Sequence, residues 1–169
     1  MAEVILGLGG NTGDRLDNLL LASNFLSDKM GKLLVCSPIV ESEPWGFSSQ
    51  NLFLNQILIF DTNLKPSQVI KICLDTEIDL GRKRSGVYTD RLMDIDILFY
   101  DNQLIIEEDL TIPHPRLHER LFILMPLDKI RPSLIHPVLK LSVKEMLDNC
   151  KDKTETNWFK SDYSTILLP

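Results

Sequence analysis

Positive charge is scarce in this chain of 169 residues: 18 Lys and Arg stand against 24 Asp and Glu, a formal net charge of −6. A general nucleic-acid binder needs a basic face to displace counterions, so this balance argues against that class. Cysteine is also scarce. Cys36, Cys73 and Cys150 are odd in number and far apart, so they make no zinc-type cluster, and reduced thiols in a cytoplasm are expected. No apolar run approaches the roughly 20 residues of a membrane span. Met1-Ala2-Glu3-Val4 has no basic region ahead of an apolar one, so no secretory signal is expected either. Repeats, low-complexity segments and linkers are absent too. The expectation is one domain over residues 1–169, with residues 151–169 a tail of unassigned role.

What is present fits a soluble globular domain, with 44% hydrophobic and 25% charged residues. Val4 to Leu8 reads as a short buried strand, followed by a turn at Gly9-Gly10-Asn11-Thr12-Gly13. Leu16, Leu19, Leu20, Ala22 and Leu26 have helical spacing, which predicts a helix from Asp14 to Met30 that Gly31 stops. Leu33 to Val40 and Leu52 to Asp61 read as strands, joined by a loop with Pro44, Trp45 and Gly46. Pro66 begins a second helix, with Val69, Ile70, Cys73 and Ile78 facing inward and Gly81 ending it. Leu92 to Tyr100 is a fourth strand. The order β-α-β-β-α-β predicts a ferredoxin-like α+β fold: an antiparallel sheet with both helices on one face. Beyond it, Gln103 to Ile106 reads as a short strand, and His118 to Ile130 as a helix broken at Pro126.

The chemistry concentrates near the fourth strand. In Asp94-Ile95-Asp96-Ile97-Leu98-Phe99 the alternation puts both carboxylates on one face and Ile95, Ile97 and Phe99 on the other. Aspartate is poorly suited to strands, and two on one face repel. Either they are exposed acids on a solvated face, or a divalent cation compensates them; two hard carboxylates plus nucleotide phosphates suit magnesium. Arg82, Lys83, Arg84 and Arg91 lie close in sequence against a single acid, Asp90. An acidic chain with one local basic cluster suits a small polyanion. In Pro113 to Phe122, His114 and Arg120 can meet a phosphate, or the segment is a proline-marked turn with its charges in solvent. Gly7-Leu8-Gly9-Gly10-Asn11 lacks the ending of a Walker motif and the spacing of a dinucleotide fingerprint, so it reads as a tight turn. At this level a metal-dependent nucleotidyltransferase or nuclease, and a non-enzymatic ferredoxin-like binding module, remain open beside a kinase.

Together these segments, from Val4 to Pro132, resemble the hydroxymethyldihydropterin pyrophosphokinase family. Arg91 with Asp94, Asp96 and the apolar residues after them matches its most specific motif. Leu6 to Asn11, Pro44-Trp45-Gly46, Phe53-Leu54-Asn55, Glu77 with Gly81 and Arg82, and Pro113-His114 with Arg120 and Phe122 match in order. The chain departs in three places: Thr89-Asp90 replaces Gly-Pro, Tyr88 stands for a loop tryptophan, and Glu43 replaces a frequent proline. The resemblance implies transfer of pyrophosphate from ATP to 6-hydroxymethyl-7,8-dihydropterin by a cytoplasmic monomer. Arg82, Arg91, Asp94 and Asp96 would be catalytic, with both aspartates holding two Mg2+ ions. Glu77, Arg84, Ile97, Thr111, His114, Arg116 and Arg120 would contact the nucleotide. Gly9, Ser42, Pro44, Trp45, Phe53, Asn55 and Phe122 would contact the pterin.

Overall fold

Strand β1 (Ala2–Gly10) runs through the centre of the sheet because it has partners on both edges. It pairs antiparallel with β4 (Phe53–Thr62) on one side and with β5 (Asp94–Tyr100) on the other. The computed structural model describes residues 1–82 and 89–160. Helix α1 (Arg15–Met30) follows β1, with the Asp14 carboxylate accepting the Asp17 N–H at 3.0 Å as an N-cap. Strands β2 (Lys32–Cys36) and β3 (Val40–Ser42) share the outer edge of β4, and α2 (Pro66–Asp79) leads back toward β5. After a small hairpin, β6 (Ile105–Ile106) with β7 (Thr111–Ile112), come a 3-10 turn (Leu117–Glu119), α3 (Leu121–Ile130) and α4 (Val143–Asn149). Strand β8 (Thr156–Trp158) then returns to pair with β3. Among the described residues the main sheet has six strands.

Helices cover both faces. Leu19, Ala22, Leu26 and Met30 of α1, and Val69 and Cys73 of α2, pack on Val4, Leu6, Leu8, Leu58 and Phe60 of the sheet. On the other face Ile123, Leu124 and Leu127 of α3, with Val143 and Met146 of α4, cover Ile5, Ile57, Ile59, Leu98 and Phe99. Each large apolar side chain so buried contributes about 1.5–3 kcal/mol. The ferredoxin-like α+β core is therefore the one expected, with α3, α4 and β6 to β8 added to it. No helix among the described residues is long and apolar enough to cross a membrane.

Several local expectations change. Leu33 to Val40 is two strands, because Ser37-Pro38-Ile39 bulges between them. Ser37 exchanges hydrogen bonds with Ile57 through its N–H and its hydroxyl, and Pro38 has no N–H to continue the ladder. Gly7, Gly9 and Gly10 lie inside β1 rather than in a turn. Ile78 is 59% exposed; the buried stripe of α2 continues from Cys73 to Thr76 and Glu77 instead. Phe99 does not share a face with Ile95 and Ile97. The β1–β5 register slips at Ile5/Leu6, which moves Leu98 and Phe99 to the α3 side. Pro126 lies buried within α3, and the helical run is interrupted at Arg120 instead. Proline removes one hydrogen bond, and burial of Ile123, Leu124 and Leu127 around it holds the helix. The hairpin strand is Ile105–Ile106 rather than Gln103 to Ile106.

Candidate active site

Two glycines make the floor of the site. Gly9 lies beside Asp94 on one neighbouring strand and Asn55 on the other; Gly7 lies beside Asp96 and Ile57. With no Cβ there, the carboxylates and the Asn55 amide face one hollow. A Cβ on Gly9 would stand 2.7 Å from Asn55 Oδ1, and one on Gly10 would stand 2.2 Å from the Leu92 carbonyl oxygen. The chain after Gly10 is fastened by Asn11, which is nearly fully buried. Its Oδ1 accepts the Arg91 N–H at 2.8 Å and its Nδ2 donates to Asp90 at 2.7 Å. Asp90 also accepts from Asn51 Nδ2 at 2.6 Å. The Asp90 that departs from the family pattern thus ties the entry of β5 to the loop before β4.

The resulting cavity has a volume of about 40 Å³ and opens to solvent. Gly9, Ser42, Trp45, Phe53, Asn55, Arg91, Asp94, Asp96, Arg120 and Phe122 all line it. Asn55 is buried and donates to Ser42 Oγ at 2.9 Å, which turns its carbonyl oxygen toward Gly9. Phe53 stacks under the Arg91 guanidinium at 5.1 Å. The Trp45 ring carries the guanidinium groups of Arg116 and Arg120 at 4.9 and 5.1 Å. Sequence reasoning missed Phe47, which meets Phe53 edge to face at 6.1 Å and lines the same cavity. The available signal was one aromatic in a run of Gly, Ser, Gln and Asn.

Cations surround the carboxylates. One nitrogen of Arg82 is 2.6 Å from both Glu77 and Asp94, Arg91 is 3.0 Å from Asp94, and Arg120 is 3.1 Å from Asp96. Burial and then the Asp94 charge push Asp96 upward, against the pull of Arg120. Burial pushes Glu77 up to about 7, against the Ile95 N–H and Arg82. His114 is driven down to about 4 by burial and by Arg120 and Arg116, so it is neutral near pH 7. Its Nδ1 accepts the Arg116 N–H at 3.2 Å, which leaves Nε2 as the protonated nitrogen. Nε2 lies 3.8 Å from Asp96. His114 therefore brings a hydrogen-bond donor to the site rather than a charge.

Other expected residues lie elsewhere. Glu77 is buried behind β5, accepting the Ile95 N–H at 2.7 Å; it holds Arg82 rather than facing the cavity. The Ile97 side chain is in the core under α1 and α2, so only its main chain is left for a ligand. Thr111 lines a separate apolar cleft with Leu104, Ile106 and His118. Pro44 is half-buried in the loop and does not line the cavity. Arg84 and Tyr88 lie outside the described residues.

Magnesium suits the donor set. Asp94 and Asp96 present hard carboxylate oxygens on one face, and no third His, Cys, Asp or Glu joins them in a metal-holding group among the described residues. Magnesium keeps waters and takes phosphate oxygens beside one or two carboxylates. Paired acids ringed by arginines, beside a cavity with one buried amide, fit a metal-assisted transferase acting on a phosphorylated substrate, here on a ferredoxin-like scaffold.

The sequence pattern of the 7,8-dihydro-6-hydroxymethylpterin-pyrophosphokinase (HPPK) family matches residues 5–132. The 2-amino-4-hydroxy-6-hydroxymethyldihydropteridine pyrophosphokinase of Aquifex aeolicus is 39% identical over 86% of this chain and 90% of its own length. That of Porphyromonas gingivalis is 41% identical over 81% of this chain and 95% of its own. The crystal structure of Plasmodium falciparum HPPK-DHPS with pteroate superposes with a TM-score of 0.71 at 15% identity, over 88% of this chain. This chain spans 44% of that longer one, and the likeness speaks for the fold alone. The chain belongs to the HPPK family.

Proposed function

We infer that this protein transfers a pyrophosphoryl group from ATP to the hydroxymethyl group of 6-hydroxymethyl-7,8-dihydropterin, giving AMP and the pterin diphosphate in folate synthesis. The observation that carries the reading is the single cavity lined by Asp94 and Asp96 together with Asn55, Phe53 and Phe122. Phosphate chemistry and recognition of a flat, amide-edged ring thus meet across two glycines.

Asn55, oriented by Ser42, hydrogen-bonds the amide-like edge of the pterin, while Phe53 and Phe122 provide apolar surfaces for its faces. Arg82, Arg91 and Arg120 neutralise phosphate oxygens, and His114 donates from Nε2. Asp94 and Asp96 would hold magnesium, two ions in our reading, whose bound charge offsets the phosphates and makes the attacking hydroxyl more acidic. The hydroxyl oxygen, its proton passing to solvent, forms a bond to the β-phosphorus as the bond from that phosphorus to the AMP oxygen breaks. Positioning and charge neutralisation carry such transfers. Trp45, stacked on two arginines of the phosphate end, joins the pterin loop to the nucleotide side. Three free thiols fit a reducing cytoplasm, where we propose that the enzyme acts as a monomer.

ATP labelled at both β- and γ-phosphorus, incubated with magnesium and the pterin, tests this. Both labels should appear on the pterin, with unlabelled AMP. ADP as the first product would overturn pyrophosphoryl transfer, and release of pyrophosphate would point to a nucleotidyltransferase.

A further inference from the structure

Residues 150–159 run from α4 to the far edge of the sheet, and their bonds fall on two walls of the cavity. On the first wall, Asp152 Oδ2 accepts the Leu121 N–H at 3.0 Å. Leu121 opens α3, whose first residues have no cap from the adjoining Arg120 side chain, so Asp152 supplies one from 31 residues away. Leu121 also sits between Arg120 and Phe122, both lining the cavity. The other oxygen of Asp152 accepts from Thr154 N–H at 2.9 Å and Thr154 Oγ1 at 2.8 Å, which fixes the carboxylate's direction.

On the second wall, β8 pairs with β3, setting Thr156 beside Ser42. The Glu43 N–H donates to the Glu155 carbonyl at 3.0 Å, and the Glu155 N–H to the Glu43 carboxylate at 3.0 Å. Ser42 is the residue that orients Asn55, and Glu43 lines the cavity beside it. Phe159 N–H to Ile39 carbonyl, at 2.9 Å, closes the far end. One short segment is thereby bonded to both α3 and β3, two elements that line the cavity.

We propose that this segment is a strap setting the width of the pterin slot, and that Asp152 is its positioning residue, acting through the Leu121 amide on Phe122. The proposal rests on the pterin pyrophosphokinase reading. Phe122 depends on this anchor more than Arg120 does, because the Arg120 guanidinium is held separately by Asp96 at 3.1 Å. Loss of the anchor should therefore fall on pterin binding before it falls on ATP.

The experiment is Asp152→Ala in the full chain, with steady-state kinetics for both substrates and amide exchange read at residues 121–124. The pterin KM should rise roughly five- to tenfold, the size expected for a lost helix cap, while the ATP KM changes by less than about twofold. Exchange at Leu121 to Leu124 should quicken without nucleotide or pterin present. Asp152→Asn, which keeps one acceptor oxygen on the same stem, should lie between the two; it also supplies the same readings if the alanine variant does not fold. A variant whose melting temperature falls while its pterin KM and its exchange at residues 121–124 match the wild type overturns the strap. If the wild type itself makes no AMP, the functional reading fails, and the exchange measurement still decides whether Asp152 anchors α3.

Discussion

In the proposed mechanism Asp96 meets two opposing demands. To hold a magnesium ion it must be charged, yet burial and the neighbouring Asp94 disfavour that charge in the folded protein. Because its pKa is raised on folding, its contribution to stability is complete below the ordinary aspartate range near 4. That contribution is lost as pH rises through the raised value. Asp96→Asn should therefore melt higher than the wild type at pH 8, with the difference vanishing by pH 4. Partial exposure of the carboxylate keeps the gain small, about 2–4 °C. Turnover in the same variant should drop by about 10³-fold or more, through loss of a metal ligand. A variant that melts lower at pH 8 while retaining activity would make the carboxylate structural. Asp94 differs, since it is shared by Arg82 and Arg91; replacing it leaves Arg82 on Glu77 but removes a partner from Arg91.

Strand β1 does more for the site than any helix, and it does so with residues that lack side chains. Gly9→Ala brings a methyl group against the end of the Asn55 side chain, which can swing only by leaving Ser42 Oγ. Stability should fall little, while the pterin KM rises by about tenfold or more, from the lost orientation. Gly10→Ala meets the Leu92 carbonyl at 2.2 Å, and backbone cannot turn aside as a side chain can. About 2–4 kcal/mol of stability should be lost, with Arg91 displaced and turnover reduced. Gly46 provides the contrast, with nothing within 4 Å of an added Cβ and a φ of +80°. Alanine there should cost about 1–2 kcal/mol by backbone strain and leave the Asn55–Ser42 pair intact. Urea denaturation and steady-state kinetics on the three variants separate the cases.

At the scale of the molecule, the site lies where the sheet's second face runs out of helix. Helix α3 covers Ile57 and Leu98 and begins over Gly7, where an added Cβ would stand 3.1 Å from Ile123. Five separate stretches of chain then converge: the end of β1, β3 with the loop after it, the starts of β4 and β5, and the start of α3. Binding should therefore stabilise the whole fold. Magnesium-ATP at about 100 times its Kd should add about 2.7 kcal/mol, raising the melting temperature by about 5–11 °C in a domain of this size. ATP with a chelator should do much less, since its phosphates then face Asp94 and Asp96 without a cation between them. Scanning calorimetry at both conditions checks this; equal shifts would remove the carboxylates from nucleotide binding.

Local pattern was enough for much of this protein. Helical spacing located α1 and most of α2, short apolar runs located β1, β4 and β5, and alternation within β5 made the aspartate pair visible, because two charges on one face of an apolar strand need a partner. Those are properties of residues near each other in the chain. What lay beyond them depended on contacts between distant segments. The two strands in place of one at Leu33 to Val40 follow from Ser37 bonding to Ile57, and the turned face of Phe99 from a register slip against β1. A one-residue slip reverses every later side chain, and alternation alone cannot locate it. Glu77 was placed at the nucleotide by the family resemblance alone, and residue matching does not tell which groups meet a buried carboxylate; the Ile95 N–H and Arg82 do so from 18 and 5 residues away. Asp152 was not legible at all, because its role exists only once the chain has folded back across the sheet to meet α3.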